Sequence, residues 1–325
     1  DAADDRYSDE TWERYFGPSY YSFDHGPVHF IVLDDVVWVA PDPNDKKSKG
    51  RYFGGLGARQ MEFLRNDLAN TPKDQLVVLT MHIPITEIEE RPEIFKLLAE
   101  RPHTLSFSAH LHQQQHRFLG AEHGFSAENP HHHLVHGTVC GSWWSGVPDE
   151  NGIPHATMSD GAPNGYSIVT FDGPKYDVEY HAARRPTTHQ MNIHAPEEVA
   201  SDAAPSTVVT VNVFGGSERS TVEMRLGDSD EWRAMKKAAA PDPFYLAMKE
   251  LEEAPNPPPG RKLPAAHKST HLWRAKLSDR PLEPGTHLIQ VRATDMFGKT
   301  YVDSRAIRVA PASAAEAAPA AAAGN

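Results

Sequence analysis

Residues 108–119, "SAHLHQQQHRFL", set His110 and His112 two positions apart directly after an apolar run, with His116 four positions beyond. Neutral imidazole is a good ligand for borderline divalent ions, and histidines at i and i+2 in a loop leaving a strand can face one ion or two adjacent ones. The chain has 19 histidines in 325 residues, so random placement alone gives roughly one His-x-His pair, and the motif needs support from elsewhere. His82 supplies it by following "QLVVLTM" as His110 follows "TLSFSA". The lone Cys140 permits neither an internal disulfide nor a thiolate cage, which leaves His, Asp or Asn as metal ligands. Other chemistries fail by position. A Cys-x5-Arg phosphatase loop would need Arg where Gly146 stands, and neither Ser142 nor Ser145 sits in a Gly-x-Ser-x-Gly elbow. In "GGLGAR" the third glycine of a dinucleotide loop is replaced by Gln60, and no Walker A lysine motif occurs.

The elements that must carry these histidines follow from periodicity. Residues 19–39 predict two strands joined at His25-Gly26-Pro27. A helix is expected where Met61, Leu64 and Leu68 share a face ahead of Pro72, then the strand "DQLVVLTMH". A short helix with Ile94, Leu97 and Leu98 on one face and the strand "HTLSFSAH" complete the series. This alternation implies an α/β domain, in which ligands bind at the carboxyl ends of strands, the position of both His82 and His110. From about residue 120, Gly, Pro, Asn and aromatic residues predict loops, in which His131, His132 and His133 read as a solvated stretch that could bind metal adventitiously. Residues 166–181 predict a hairpin and "PEEVASDAAPS" a linker. Short alternating strands then suggest a β-sandwich, interrupted by the Pro-rich exposed loop "EEAPNPPPGRKLPAAHKS". The expected divisions are an α/β part over 1–130, a loop-rich segment over 131–200 that completes or covers the site, an immunoglobulin-like sandwich over 201–310, and a disordered Ala/Pro tail over 311–325.

Composition limits what the chain does. With 39% hydrophobic and 23% charged residues it falls in the ordinary range of globular proteins, and no window approaches the roughly 20 apolar residues of a membrane helix. A net charge of −12 excludes broad nucleic-acid binding through counterion release, while leaving room for a local phosphate site. The N-terminus shows no basic start or apolar stretch of a secretory signal.

The ordered series "YYSFDHGPVHFIVLDD", "GGLGARQMEFLRNDLA", "VVLTMHIPI" and "SAHLH" resembles the second half of the calcineurin-like metallophosphoesterases, and "HGTVCGSWWSGVPDENGIPHATMSDGAPNGYSIVTFDG" resembles the C-terminal domain of one bacterial branch. The resemblance spans about residues 1–310. It implies hydrolysis of a small phosphoester, mono or di, by two divalent ions (Mn, Fe or Zn) about 3.5–4 Å apart that activate water and stabilise entering and leaving oxygens. By motif position His82 and His110 would bind one ion and His112 the other. Ala109 stands where the family usually has glycine. The family's Asp-x-His, bridging Asp and Gly-Asn-His do not occur in these 325 residues, which implies a chain that starts inside a longer protein and is nearly inactive alone. No residue is assigned a catalytic role. The branch tends to be exported, so the resemblance also implies an extracytoplasmic setting.

Two readings stay open for the aromatic loops. Trp143 and Trp144, with Asn164 and Tyr166, can wall a substrate pocket, or "GSWWSG" and "GAPNGY" can be packed turns between the domains. His116 reads as structural and Cys140 as a small buried residue. The alternative function is a non-catalytic binding protein, a degenerate phosphoesterase scaffold presenting its sandwich to a glycan or protein partner.

Overall fold

The computed structural model describes residues 10–312, apart from 43, 46, 48 and 228; most of the expected Ala/Pro tail lies outside them. Helix α1 (Glu10–Phe16) precedes strands β1 (Tyr21–His25), β2 (Val28–Val32), β3 (Val36–Val39) and β4 (Arg51–Gly54). Helix α2 (Gly57–Asn70) leads to β5 (Leu76–Thr80), and α3 (Arg91–Leu98) to β6 (Thr104–Ser108), β7 (Gln115–Leu119) and β8 (His131–Val135). Six of these strands form one sheet in the order β1-β2-β5-β6-β8-β7. Its four central strands are parallel, and β1 and β7 are antiparallel edges.

Parallel central strands are covered on both faces, which is why they read as continuous apolar runs. On one face Met61, Leu64 and Leu68 of α2 and Ile94, Phe95 and Leu98 of α3 pack with Ile31, Val77 and Leu79. Leu97 packs partly buried against the same core, as its spacing predicts, and Phe95 joins Ile94 and Leu98 in full burial. The other face carries Val28, Val78 and Leu105 against Phe171 and Tyr176 of the hairpin β9 (Gly165–Asp172) and β10 (Lys175–Ala182).

The histidine run is not a solvated loop. His131, His132 and His133 form β8 itself, 1%, 3% and 0% exposed, between β6 and β7. The polar rings are accommodated because each finds partners. Along one face Thr104 Oγ1, His131, Ser106 Oγ, His133 and Ser108 Oγ form an unbroken hydrogen-bonded row with spacings of 2.6–3.0 Å. On the other, His132 bridges His116 Nδ1 at 2.9 Å and Tyr176 Oη at 2.7 Å.

The remaining strands are β11 (Met191–His194), β12 (Glu198–Ala200), β13 (Val208–Val213), β14 (Thr221–Leu226), β15 (Arg233–Ala234), β16 (Lys236–Pro241), β17 (Lys268–Lys276), β18 (Gly285–Thr294) and β19 (Thr300–Ala310), with α4 (Pro243–Glu252) between β16 and β17. They form a four-stranded sheet, β11-β13-β17-β16, and a five-stranded sheet, β12-β19-β18-β14-β15. Val209, Val211 and Trp273 of the first share a core with Met224, Ile289, Val291 and Ile307 of the second. The expected linker instead supplies β12, which pairs in parallel with β19. Among the described residues no helix is long and apolar enough to cross a membrane.

Candidate metal-ligand site

His82 and His110 leave the carboxyl ends of the adjacent parallel strands β5 and β6. The backbone ties the two loops together, since the His82 carbonyl accepts the N–H groups of both Ala109 and His110 at 3.1 Å. The buried Asp35 carboxylate holds the other side, accepting His82 N–H at 2.9 Å and Ile83 N–H at 2.8 Å. Burial raises the Asp35 carboxyl to about 6 against these two hydrogen bonds. The result is that His110 Nδ1 and His82 Nε2 face each other at 3.0 Å. Partial desolvation and neighbouring imidazoles lower the pKa of His82; for His110 desolvation is again the larger cause, opposed by Glu87. Both rings are therefore uncharged near neutral pH, and one of the two facing nitrogens donates its N–H to the other's lone pair.

His112 joins them by a turn, its N–H donating to Ala109 O at 3.1 Å and its φ being +49°. The left-handed residue of this turn is thus His112, and Ala109 has no positive φ, so its methyl group adds no backbone strain. His112 Nδ1 is held by Gly141 O at 2.5 Å, and the ring is stacked on Trp143 with centroids 3.9 Å apart. A hydrogen bond at one imidazole nitrogen fixes the ring and directs the other outward.

The loop that contributes Gly141 is built on positive φ values at Gly141, Trp143, Trp144 and Ala156. Only glycine fits at 141, where a Cβ would lie 1.8 Å from Ala156 O. Trp143 and Trp144 are 47% and 49% exposed, and Tyr166 is 49% exposed, stacked over His181. Asn164 is buried and donates to Val139 O at 2.7 Å. Packed turns thus describe Asn164 but not the two indoles. Cys140 is exposed rather than buried, because the 140–146 loop turns its side chain outward. The exposure of the indoles had no signal in composition, since it depends on left-handed backbone at ordinary residues.

These donors fit part of a metal centre. Two ligand nitrogens on a tetrahedral ion, each about 2.0–2.1 Å from it, are about 3.3 Å apart, close to the His82–His110 spacing. Both Asp35 oxygens are turned away onto backbone N–H groups. Among the described residues no group of three or more His, Cys, Asp or Glu is placed to hold an ion. A two-ion centre needs carboxylates that this arrangement does not supply.

Parallel strands delivering side chains from their carboxyl ends, backed by helices on one face, define an α/β scaffold with its site at the strand ends. The family model described as the C terminal of calcineurin-like phosphoesterase matches residues 133–301, just over half of the sequence. The chain belongs to this calcineurin-like phosphoesterase family and carries a phosphoesterase-type scaffold. No curated protein matches it. Among solved structures, CopC from Methylosinus trichosporium OB3b aligns with 45% of this chain and 95% of its own length at 11% identity and a TM-score of 0.19, a likeness that carries no argument.

Proposed function

We propose that this chain provides the imidazole half of a divalent-metal centre that hydrolyses a phosphoester. The observation that carries this reading is the 3.0 Å convergence of His82 and His110 from neighbouring strand ends. His82 and His110 would hold one ion, with His112 directed toward a second. An ion there would supply Lewis acidity and a water of lowered pKa. The residues of this chain orient the donors: Asp35 fixes the His82 backbone, and Gly141 O fixes the His112 ring. The immunoglobulin-like character of the two-sheet region and an extracytoplasmic setting belong to the same reading.

Neutral nitrogens without carboxylates bind weakly and cannot balance two divalent charges. Purified residues 1–325, given manganese or zinc, therefore hydrolyse a bis-aryl phosphate no faster than a His82→Ala control. The complete gene product turns it over, and His82→Ala or His110→Ala lowers that turnover at least about 100-fold. Equal turnover by the variants overturns the hydrolase reading. The absence of a carboxylate among the described donors favours one competing role, a binding protein on the same scaffold. That role predicts no turnover by the complete product at all.

A further inference from the structure

A cavity lies beyond the indoles. Trp143 stacks on His112, its neighbour Trp144 carries the Arg184 guanidinium 5.5 Å from its ring centroid, and Arg184 lines a cavity of about 470 Å³. That volume is within the range of small-molecule sites, roughly 300–1,000 Å³, and the cavity sits where the 138–164 loop meets the two-sheet region, a usual place for them. Trp143, Trp144 and Arg184 all have positive φ, +52°, +58° and +60°. Three non-glycine residues in a conformation costing about 1–2 kcal/mol each, along one continuous path from His112 to the cavity, mark a surface built for contact rather than for packing.

The walls say what fits. Each cation has an anion opposite it: Arg184 Nη2 is 3.3 Å from Asp149 Oδ2, and Arg185 is paired with Glu150. Asp303 adds another carboxylate to the lining, and His155 is kept neutral by burial, at about 4. A bare anion gains little from so balanced a field. The lining also offers the amide of Asn192, the hydroxyl of Thr188 and the ring of Phe244. Donors and acceptors of both kinds beside an aromatic face suit a group that donates and accepts at several neighbouring atoms while presenting C–H faces to a ring.

We propose that this cavity binds a polyhydroxylated group of the sugar or cyclitol kind, as the non-reacting part of the phosphoester. The link to a phosphoester rests on the function proposed above, whereas binding in the cavity does not. Saturation-transfer NMR on the complete chain with myo-inositol, methyl α-glucoside and N-acetylglucosamine separates cyclitol from sugar. At least one binds, with Kd on the order of 1 mM. Asn192→Ala and Thr188→Ala each weaken that binding roughly tenfold, the second at an exposed position where folding is not at stake. His82→Ala leaves it unchanged. Silence from all three probes, binding indifferent to both cavity variants, or competition by inorganic phosphate alone overturns the proposal. Polyol binding by a protein whose complete form has no phosphoesterase activity removes the hydrolase reading and leaves the cavity assignment standing.

Discussion

Gly141 carries more of the site than its size suggests. Its carbonyl holds His112 Nδ1, its φ of +53° starts the left-handed stretch that exposes the indoles, and its missing side chain admits Ala156 O. Gly141→Ala must move the loop, because the obstructing atom is backbone and cannot rotate away. The expected cost is about 2 kcal/mol or more, from left-handed strain plus the clash. Separating His112 from Trp143 should also reduce the near-ultraviolet circular dichroism of the indole. A variant with unchanged stability and an unchanged aromatic spectrum would show that the loop does not depend on this contact. The convergence of His82 and His110 is legible in the sequence, because each histidine ends an apolar strand pattern and such ends meet when the strands are parallel neighbours. His112's orientation was not legible. It depends on a carbonyl 29 residues away, held there by turn geometry that residue types alone do not encode.

Strand β8 shows where periodicity fails. Helix α2, strands β5 and β6, and the β9–β10 hairpin follow their apolar patterns, whereas "HHHLV" looks solvated by residue type and is buried throughout. What makes it a strand is the complementary Thr104, Ser106 and Ser108 on β6, a cross-strand match invisible to any reading of one segment. Likewise α4 and β16 were hidden in "MKKAAAPDPFYLAMKE", where Asp242 caps the helix by accepting Tyr245 N–H at 2.8 Å. The buried row has a pH signature. Burial lowers His116 and His131 to about 3, and lowers His132 and His133 well below the usual value. Between about pH 3 and 6.5 the unfolded chain then binds more protons than the folded one, so stability rises with pH there and is lost as pH falls below about 6.5. Asp35, raised by burial to about 6, works in the opposite sense between about pH 4 and 6, as do Asp242 and Asp295, whose carboxyls burial also raises, while His136, His155 and His189 are lowered by burial and add to the histidine side. Thermal melts should therefore fall by about 10 °C or more from pH 7.5 to pH 5. A melting temperature that is flat across this interval would contradict neutral burial of the row.

Among the contacts that join the six-stranded sheet to the two-sheet region is a buried carboxylate. Asp160 is 0% exposed; its Oδ2 accepts Gln114 N–H at 2.7 Å and lies 3.1 Å from His271 Nε2, while its Oδ1 accepts Ala162 N–H at 3.1 Å. His271 Nδ1 continues to Asn212 Oδ1 at 2.6 Å, and Asn212 Nδ2 donates to Asp242 at 2.9 Å, the residue that caps α4. The network therefore runs from the loop just after His112 into the core strands β13 and β17. Contacts of this kind are costly to break from one side, because removing the acceptor leaves every donor buried and unsatisfied. Asp160→Ala is expected to destabilise by about 3 kcal/mol or more. It should also divide one cooperative calorimetric transition into two, as the region bearing the histidines melts apart from the two sheets. Glu198→Ala provides the contrast. Its carboxylate meets Arg308 on the surface, with the two side chains 56% and 74% exposed, and such pairs contribute about 0–1 kcal/mol. If both variants unfold in a single transition with equal small losses, the two regions are coupled by their other contacts, among them the Lys299–Glu179 ion pair and Arg219 over the Phe118 ring, and the alignment of His112 with the cavity beyond the indoles owes nothing to Asp160.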